Sequence, residues 1–213
     1  MRLKVKSAVA GLAAVAFFGA AALTSEARAA DGTVAAEDEV RVFMETLVSE
    51  SIRLLSDGSV SAEQRENSFR ALLTENFDIN AIVGFVLARH WRAATDEQRD
   101  EFREIFVRAT TQRFVPIFEG YDGADLRVSG VRVDSKQPRI AEAVMLIPYR
   151  DGGTVAKTSW RVYHEEDGVY KILDAKVEGV SMILSLRQEY SGIISRDGLD
   201  GLLTQLREKY PEG

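Results

Sequence analysis

Along this chain the hydrophobic positions recur first every three to four residues and then, past Gly123, every two. Val40, Phe43, Met44, Leu47, Ser51, Leu54 and Leu55 form the first series, an amphipathic helix that Asp57-Gly58 ends. Ser61 opens a second helix carrying Phe69, Leu72 and Leu73. A third is expected from Asp78 to about Arg92, with Ile79, Ile82, Val83, Val86 and Leu87 on its apolar side. Thr95 and Gln98 have the spacing of a capping box, and the long helix behind them carries Phe102, Ile105, Phe106 and Ala109. Pro116 has no N–H to donate and is expected to bend or end that helix, with Phe114, Ile117, Phe118 and Tyr121 clustered around the break.

From here the period is two. Ala124–Asp134, Arg139–Tyr149, Val155–Glu165 and Val169–Glu178 read as four strands, separated by turns at Lys136-Gln137-Pro138, Asp151-Gly152-Gly153 and Asp167-Gly168. Two helices close the chain, one after Gly179 and one from about Leu199 to Tyr210. The order predicts an α+β fold, an antiparallel four-stranded sheet covered on one face by helices. The helical part spans 37–121, the sheet 124–178 and the closing helices 180–210.

Two stretches carry more apolar surface than one layer of helices needs. Towards its end the strand IAEAVMLIPY has Val144 and Leu146 on one face and Met145 and Ile147 on the other. An antiparallel sheet with a single helical layer ordinarily keeps one face polar. After Gly179 come Val180, Met182, Ile183, Leu184 and Leu186, interrupted only by Ser181 and Ser185. A plain packed core accounts for this pattern, and so does a wall around an apolar cavity.

The N-terminus concerns address. Arg2, Lys4 and Lys6 precede an apolar run from Ala8 to Leu23, and Ala27-Arg28-Ala29 supplies a small-x-small ending. Residues 1–29 therefore read as a cleaved secretory signal, too short in its apolar part to favour a retained anchor, and 30–213 as a single domain. Without that leader the formal net charge moves from −6 to −9. This balance argues against a nucleic-acid partner and against unaided adhesion to anionic lipid. The chain has no cysteine, so neither a lipidated N-terminal cysteine nor a disulfide is available.

Three segments together resemble the MlaC family, periplasmic phospholipid-binding proteins also called toluene-tolerance auxiliary components. The first is VEGVSMILSLRQEYSGII, with Glu178-Gly179-Val180-Ser181, Arg187 and Tyr190. The second is FDINAIVGFVLARHWRAATDEQRDEFREIFVRATTQRFVPIFEGYDG, and the third DGLDGLLTQLREK. Together, in the right order, they extend the resemblance over essentially all of residues 38–210. The chain departs from the family pattern in Leu87-Ala88-Arg89-His90-Trp91, where the family usually has Leu-Gly before its aromatic-Trp. It departs again at Leu186, where Asn or Tyr is usual. The resemblance implies a cone-like, non-enzymatic carrier that holds a phospholipid's acyl chains in an internal cavity. Such a carrier passes lipid between an outer-membrane lipoprotein complex and an inner-membrane MCE-domain/ABC transporter complex, which maintains outer-membrane lipid asymmetry. A hopanoid-associated branch of the family makes a sterol-like cargo an alternative.

The residues expected to line the cavity are Phe77, Ile82, Phe85, Val86, Phe106, Phe118, Val144, Leu146, Trp160, Val162, Ile172, Val177, Val180, Ile183 and Leu186. Arg187 is a candidate for the headgroup, or else pairs with a carboxylate. No cofactor is expected beyond the bound phospholipid. His90 and His164, the only histidines, are expected to be solvated or capping, so a metal would need carboxylates gathered by the fold. Gly179-Val180-Ser181-Met182-Ile183 lacks the last glycine of a nucleophile elbow, so Ser181 reads as a helix N-cap. An enzyme of the same cone shape, acting on a hydrophobic small molecule with Asp174 as base, is the competing reading. An adaptor with a solid core is a third.

Overall fold

The computed structural model describes residues 34–118, 126–148 and 155–212. The leader expected over 1–29, Tyr121 and the turn at Asp151-Gly152-Gly153 lie outside the described residues, as do the side chains of Ile117 and Phe118. Among the described residues the order is α1 (Glu37–Leu55), α2 (Ala62–Asn76), α3 (Ile79–Leu87), α4 (Arg89–Ala93), α5 (Asp96–Phe118), β1 (Arg127–Val133), β2 (Ile140–Pro148), β3 (Val155–His164), β4 (Tyr170–Val177), β5 (Val180–Ser181) and α6 (Met182–Lys209). The sheet is an antiparallel meander, β1-β2-β3-β4-β5, with five strands where four were predicted. The fifth is a two-residue strand paired back onto Lys176 and Val177.

Helix starts follow the capping chemistry in the sequence. Ser61 and Gln64 form a reciprocal box at α2, and Thr95 and Gln98 form one at α5, where the Thr95 N–H donates to Gln98 Oε1 at 3.0 Å and the Gln98 N–H to Thr95 Oγ1 at 3.2 Å. Three predicted elements differ. The helix expected from Asp78 to Arg92 breaks at Ala88, whose backbone lies at φ 52°, ψ −119°. Pro116 lies inside α5, which runs only two residues further, to Phe118, so the helix passes the proline although it has no N–H to give the Gln112 carbonyl. The two closing helices follow each other without a loop, joined by a single non-helical residue, Gly198, at φ 74°.

Two separate cores result. In one, α1 lies across the sheet, and Val40, Met44, Leu47 and Leu55 pack with Val128, Ala141, Ala143, Met145, Val162 and Ile172. In the other, α3, α5 and α6 enclose Ile82, Val86, Phe102, Ile105, Phe106, Tyr190, Leu202 and Leu203. Helix α1 also satisfies the free edge of β1. Arg41 Nη1 donates to the Val128 carbonyl at 2.8 Å, and the Val133 N–H donates to Glu37 Oε1 at 3.4 Å. None of the helices among the described residues is long and apolar enough to cross a membrane.

Candidate functional site

Where the two cores meet, the chain places apolar side chains that neither core fully covers. Phe77 begins this seam. It forms a parallel bridge with Ile172 of β4, the Asp78 N–H donates to the Ile172 carbonyl, and Asp78 then caps α3 through the Ala81 N–H. Phe69 and Phe77 both pack against each of the two cores. The Phe77 ring meets Trp160 edge to face at 6.3 Å, and the Trp160 indole N–H donates to Thr158 Oγ1 at 3.2 Å.

The other side of the seam is the β4–β5 hairpin and the first turns of α6. Glu178 (φ 49°) and Gly179 (φ 82°) both have positive φ, the two-residue geometry that suits a tight hairpin. Val177 and Val180 face each other across it. Ser181 then caps α6, its hydroxyl accepting from the Leu184 N–H at 3.1 Å, and Asp174 Oδ1 accepts from the Ile183 N–H at 3.3 Å. A buried carboxylate at a helix N-terminus meets free N–H groups and the positive end of the helix dipole. Asp174 is therefore committed to anchoring α6. That occupation weighs against its use as a base, and among the described residues there is no cluster of metal-ligating side chains.

Apolar surface stays open along this seam. Val180 is 59% exposed, Leu184 45%, Phe85 and Val177 41% each, and Ile183 and Leu186 are half-buried behind them. Arg187, one turn beyond Leu184, sits over the Phe85 ring at 4.8 Å. The carboxylate partner considered for Arg187 is not found among the described residues. Its guanidinium stands at the edge of the apolar strip.

The residues expected to line one cavity are thus divided among four places. Phe77, Phe85, Trp160, Val177, Val180, Ile183 and Leu186 lie on the seam. Ile82, Val86 and Phe106 are buried in the helical core, and Val162 and Ile172 in the core between sheet and α1. Val144 and Leu146 pair with Ser159 and Lys157, which puts them on the opposite face of the sheet from Trp160. They cannot line a space shared with Trp160, because strand side chains alternate faces with period two. Phe118's side chain lies outside the described residues. Two seam residues were not on the expected list, Phe69 and Leu184. Leu184 stands in an apolar run and Phe69 in the helical apolar series with Leu72 and Leu73, but only the packing shows that Phe69 touches both cores.

The two depressions described are outside the cores. One, of about 300 Å³, is lined by Glu142, Val144, Lys157, Ser159, Lys176, Glu178 and Gly179 on the outer sheet face. The other lies beside Asp38, Val42, Phe43 and Tyr170. His164, expected to be solvated or capping, is 5% exposed and stacks on Tyr170 at 4.5 Å, because strand alternation turns it inward with Val162. His90 is half-buried, and its carbonyl accepts from the Ala94 N–H at the end of α4.

An antiparallel sheet, a helical bundle packed at its β4 edge and a strip of exposed apolar side chains where they meet make this a small α+β protein. The chain belongs to the MlaC protein family, whose model matches residues 45–208. It is 21% identical over 135 residues to the intermembrane phospholipid transport system binding protein MlaC of Haemophilus influenzae, a stretch covering 58% of each chain. The chain thus spans little more than half the length of that relative. Its fold is similar to that of a phospholipid-binding protein from Ralstonia solanacearum solved in complex with a phospholipid. The TM-score is 0.69 at 15% identity, covering 80% of this chain and 96% of the other.

Proposed function

We propose that this protein is a periplasmic lipid carrier whose seam opens to take the acyl chains of a phospholipid while the headgroup stays outside, against Arg187. The observation that carries the reading is the apolar strip itself. Four large hydrophobic side chains stand open to water at the joint of two otherwise closed cores, with one guanidinium at the rim. The bound phospholipid of the Ralstonia protein, which shares the fold, supports it, as does the phospholipid-transport name of the Haemophilus relative.

Magnitudes favour a carrier. Burying a methylene is worth about 0.8 kcal/mol, so two long acyl chains represent on the order of 20 kcal/mol withheld from water. A bilayer offers the same gain, so exchange between bilayer and seam is near balance. Direction is then set by partners, an outer-membrane lipoprotein complex on one side and an inner-membrane MCE-domain/ABC transporter complex on the other. On this reading the carrier itself makes or breaks no covalent bond.

Native mass spectrometry of protein purified without detergent tests the reading. A phospholipid mass is the expected result. A polycyclic mass would reassign the cargo to a sterol-like lipid, and protein that never takes up lipid would end the carrier proposal. Ile183→Asp on the seam is expected to strip the load at least about tenfold, since a carboxylate in an apolar site costs several kcal/mol. Leu146→Asp, on the other sheet face, is expected to leave it unchanged.

A further inference from the structure

The seam as it stands is a strip of side chains, and the two depressions described lie elsewhere, so acyl chains need an element to move. Helix α6 is not one rigid rod. Gly198 interrupts it at φ 74°, ψ 174°, a backbone region that essentially only glycine occupies. Gly201 gives the joint its clearance, since a Cβ there would stand 2.6 Å from Asp197 Cβ. The two halves on either side are held differently. Beyond the joint, residues 199–209 and the end that follows are tied to α5. Gln98 Nε2 donates to Asp200 Oδ1 at 2.7 Å, Arg207 pairs with Glu101 at 3.3 Å, and Arg108 Nε donates to the Tyr210 carbonyl at 2.8 Å. Before it, residues 182–197 make one hydrogen bond to another element among the described residues, from the Ile183 N–H to Asp174 Oδ1, and Arg187 adds its contact with the Phe85 ring.

Burial along the first half falls with distance from the joint. Ile194, Tyr190, Leu186 and Ile183 follow one another at helical spacing on one face. Ile194 and Tyr190 are buried, with Tyr190 edge to face on Phe102 at 6.0 Å, whereas Leu186 and Ile183 are half-buried. We infer that residues 182–197 are the lid of the seam, a lever that pivots at Gly198 on the fixed half of α6. The inference rests on the reading that acyl chains enter at the seam. At 1.5 Å per residue, a rotation of about 15° at Gly198 carries Ile183 about 6 Å, Tyr190 about 3 Å and Ile194 about 2 Å. Displacement is therefore greatest where apolar side chains are least covered and smallest where they are buried. The bond from Gln205 Nε2 to Asp197 Oδ2, at 3.0 Å, lies at the pivot, where rotation disturbs it least. At the tip, no heavy atom beyond the chain neighbours comes within 4 Å of where a Cβ on Gly179 would stand, so the turn into β4 has room to follow. The contacts of Ile183 with Asp174 and of Arg187 with Phe85 are the latch that opening releases.

Spin-label distances test the lid, and the chain's lack of cysteine confines the labels to the positions introduced. Ser185→Cys, exposed on the lid, is paired in turn with Glu104→Cys on α5 and Glu50→Cys on α1, and Glu104→Cys with Glu208→Cys is the fixed reference. Delipidated protein is compared with protein loaded from mixed phosphatidylethanolamine and phosphatidylglycerol vesicles, with uptake followed by native mass spectrometry. On loading, at least one Ser185 distance is expected to change by about 5 Å and the reference distance to stay fixed. Lipid uptake with both Ser185 distances unchanged, or with the reference pair moving as far, would overturn the lid and leave the carrier reading standing. Protein that takes up no lipid would end that reading and the lid with it. Gly198→Ala restricts the pivot and is expected to slow uptake about tenfold, and an unchanged rate would also overturn the lid. The distances need only exposed substitutions, so they decide the matter even where that variant fails to fold.

Discussion

Ala88 holds a conformation that L residues seldom adopt, φ 52° with ψ −119°, and it does so where the family pattern usually has glycine. A Cβ in the positive-φ region costs about 1–2 kcal/mol, which glycine avoids while losing some of that gain through a more flexible unfolded chain. Ala88→Gly is therefore expected to raise stability by about 1 kcal/mol, read from the urea midpoint at unchanged slope. Glu142 shows a second effect confined to one residue. Hydrogen bonds from the Lys176 ammonium and the Ser159 hydroxyl hold its carboxyl below the usual glutamate value. A depressed folded-state pKa contributes stability that is complete above the unfolded value, about 4.3, and is lost as pH falls through the folded one. Glu142→Gln is expected to destabilise at pH 7 and to converge with the parent protein in acid. A stability difference that widened below pH 4 would contradict this assignment.

At the scale of elements, the caps were legible and the joints were not. Ser61, Thr95 and Ser181 announce their helices because capping is local chemistry, settled within four residues. The four long strands lie within one to three residues of their expected bounds where they are described, because the apolar period changes sharply at the sheet. The break at Ala88 and the merger of the last helices at Gly198 are decided by backbone angles that an apolar pattern does not report. Strand β5 was missed because two residues are too few to show a period. Ser181→Ala removes the hydroxyl that accepts from Leu184 and is expected to cost about 1 kcal/mol in thermal unfolding. Asp174 still holds the Ile183 N–H, so α6 keeps its place and its helical content by circular dichroism.

For the molecule as a whole, the sequence made the family and the apolar excess visible but not which residues share a surface. Fifteen positions read as one wall because each lies in an apolar run. Only register separates Val144 and Leu146 from Trp160, and only tertiary packing separates Phe85 from its buried helical neighbours Ile82 and Val86. That division has a dynamic consequence if the seam is where lipid enters. The two cores contain most of the fully buried side chains, whereas β5 and the first turns of α6 carry exposed apolar groups and few long-range hydrogen bonds. Such segments open at lower free energy than the global transition. Filling the seam should therefore protect amides of Val180–Arg187 and of α3 far more than those of α1 or β2, whose core is already closed. Hydrogen exchange of delipidated against lipid-loaded protein measures this directly. A gain confined to the seam elements is expected, and equal protection across both cores would mean that lipid stabilises the fold without entering where the two cores join.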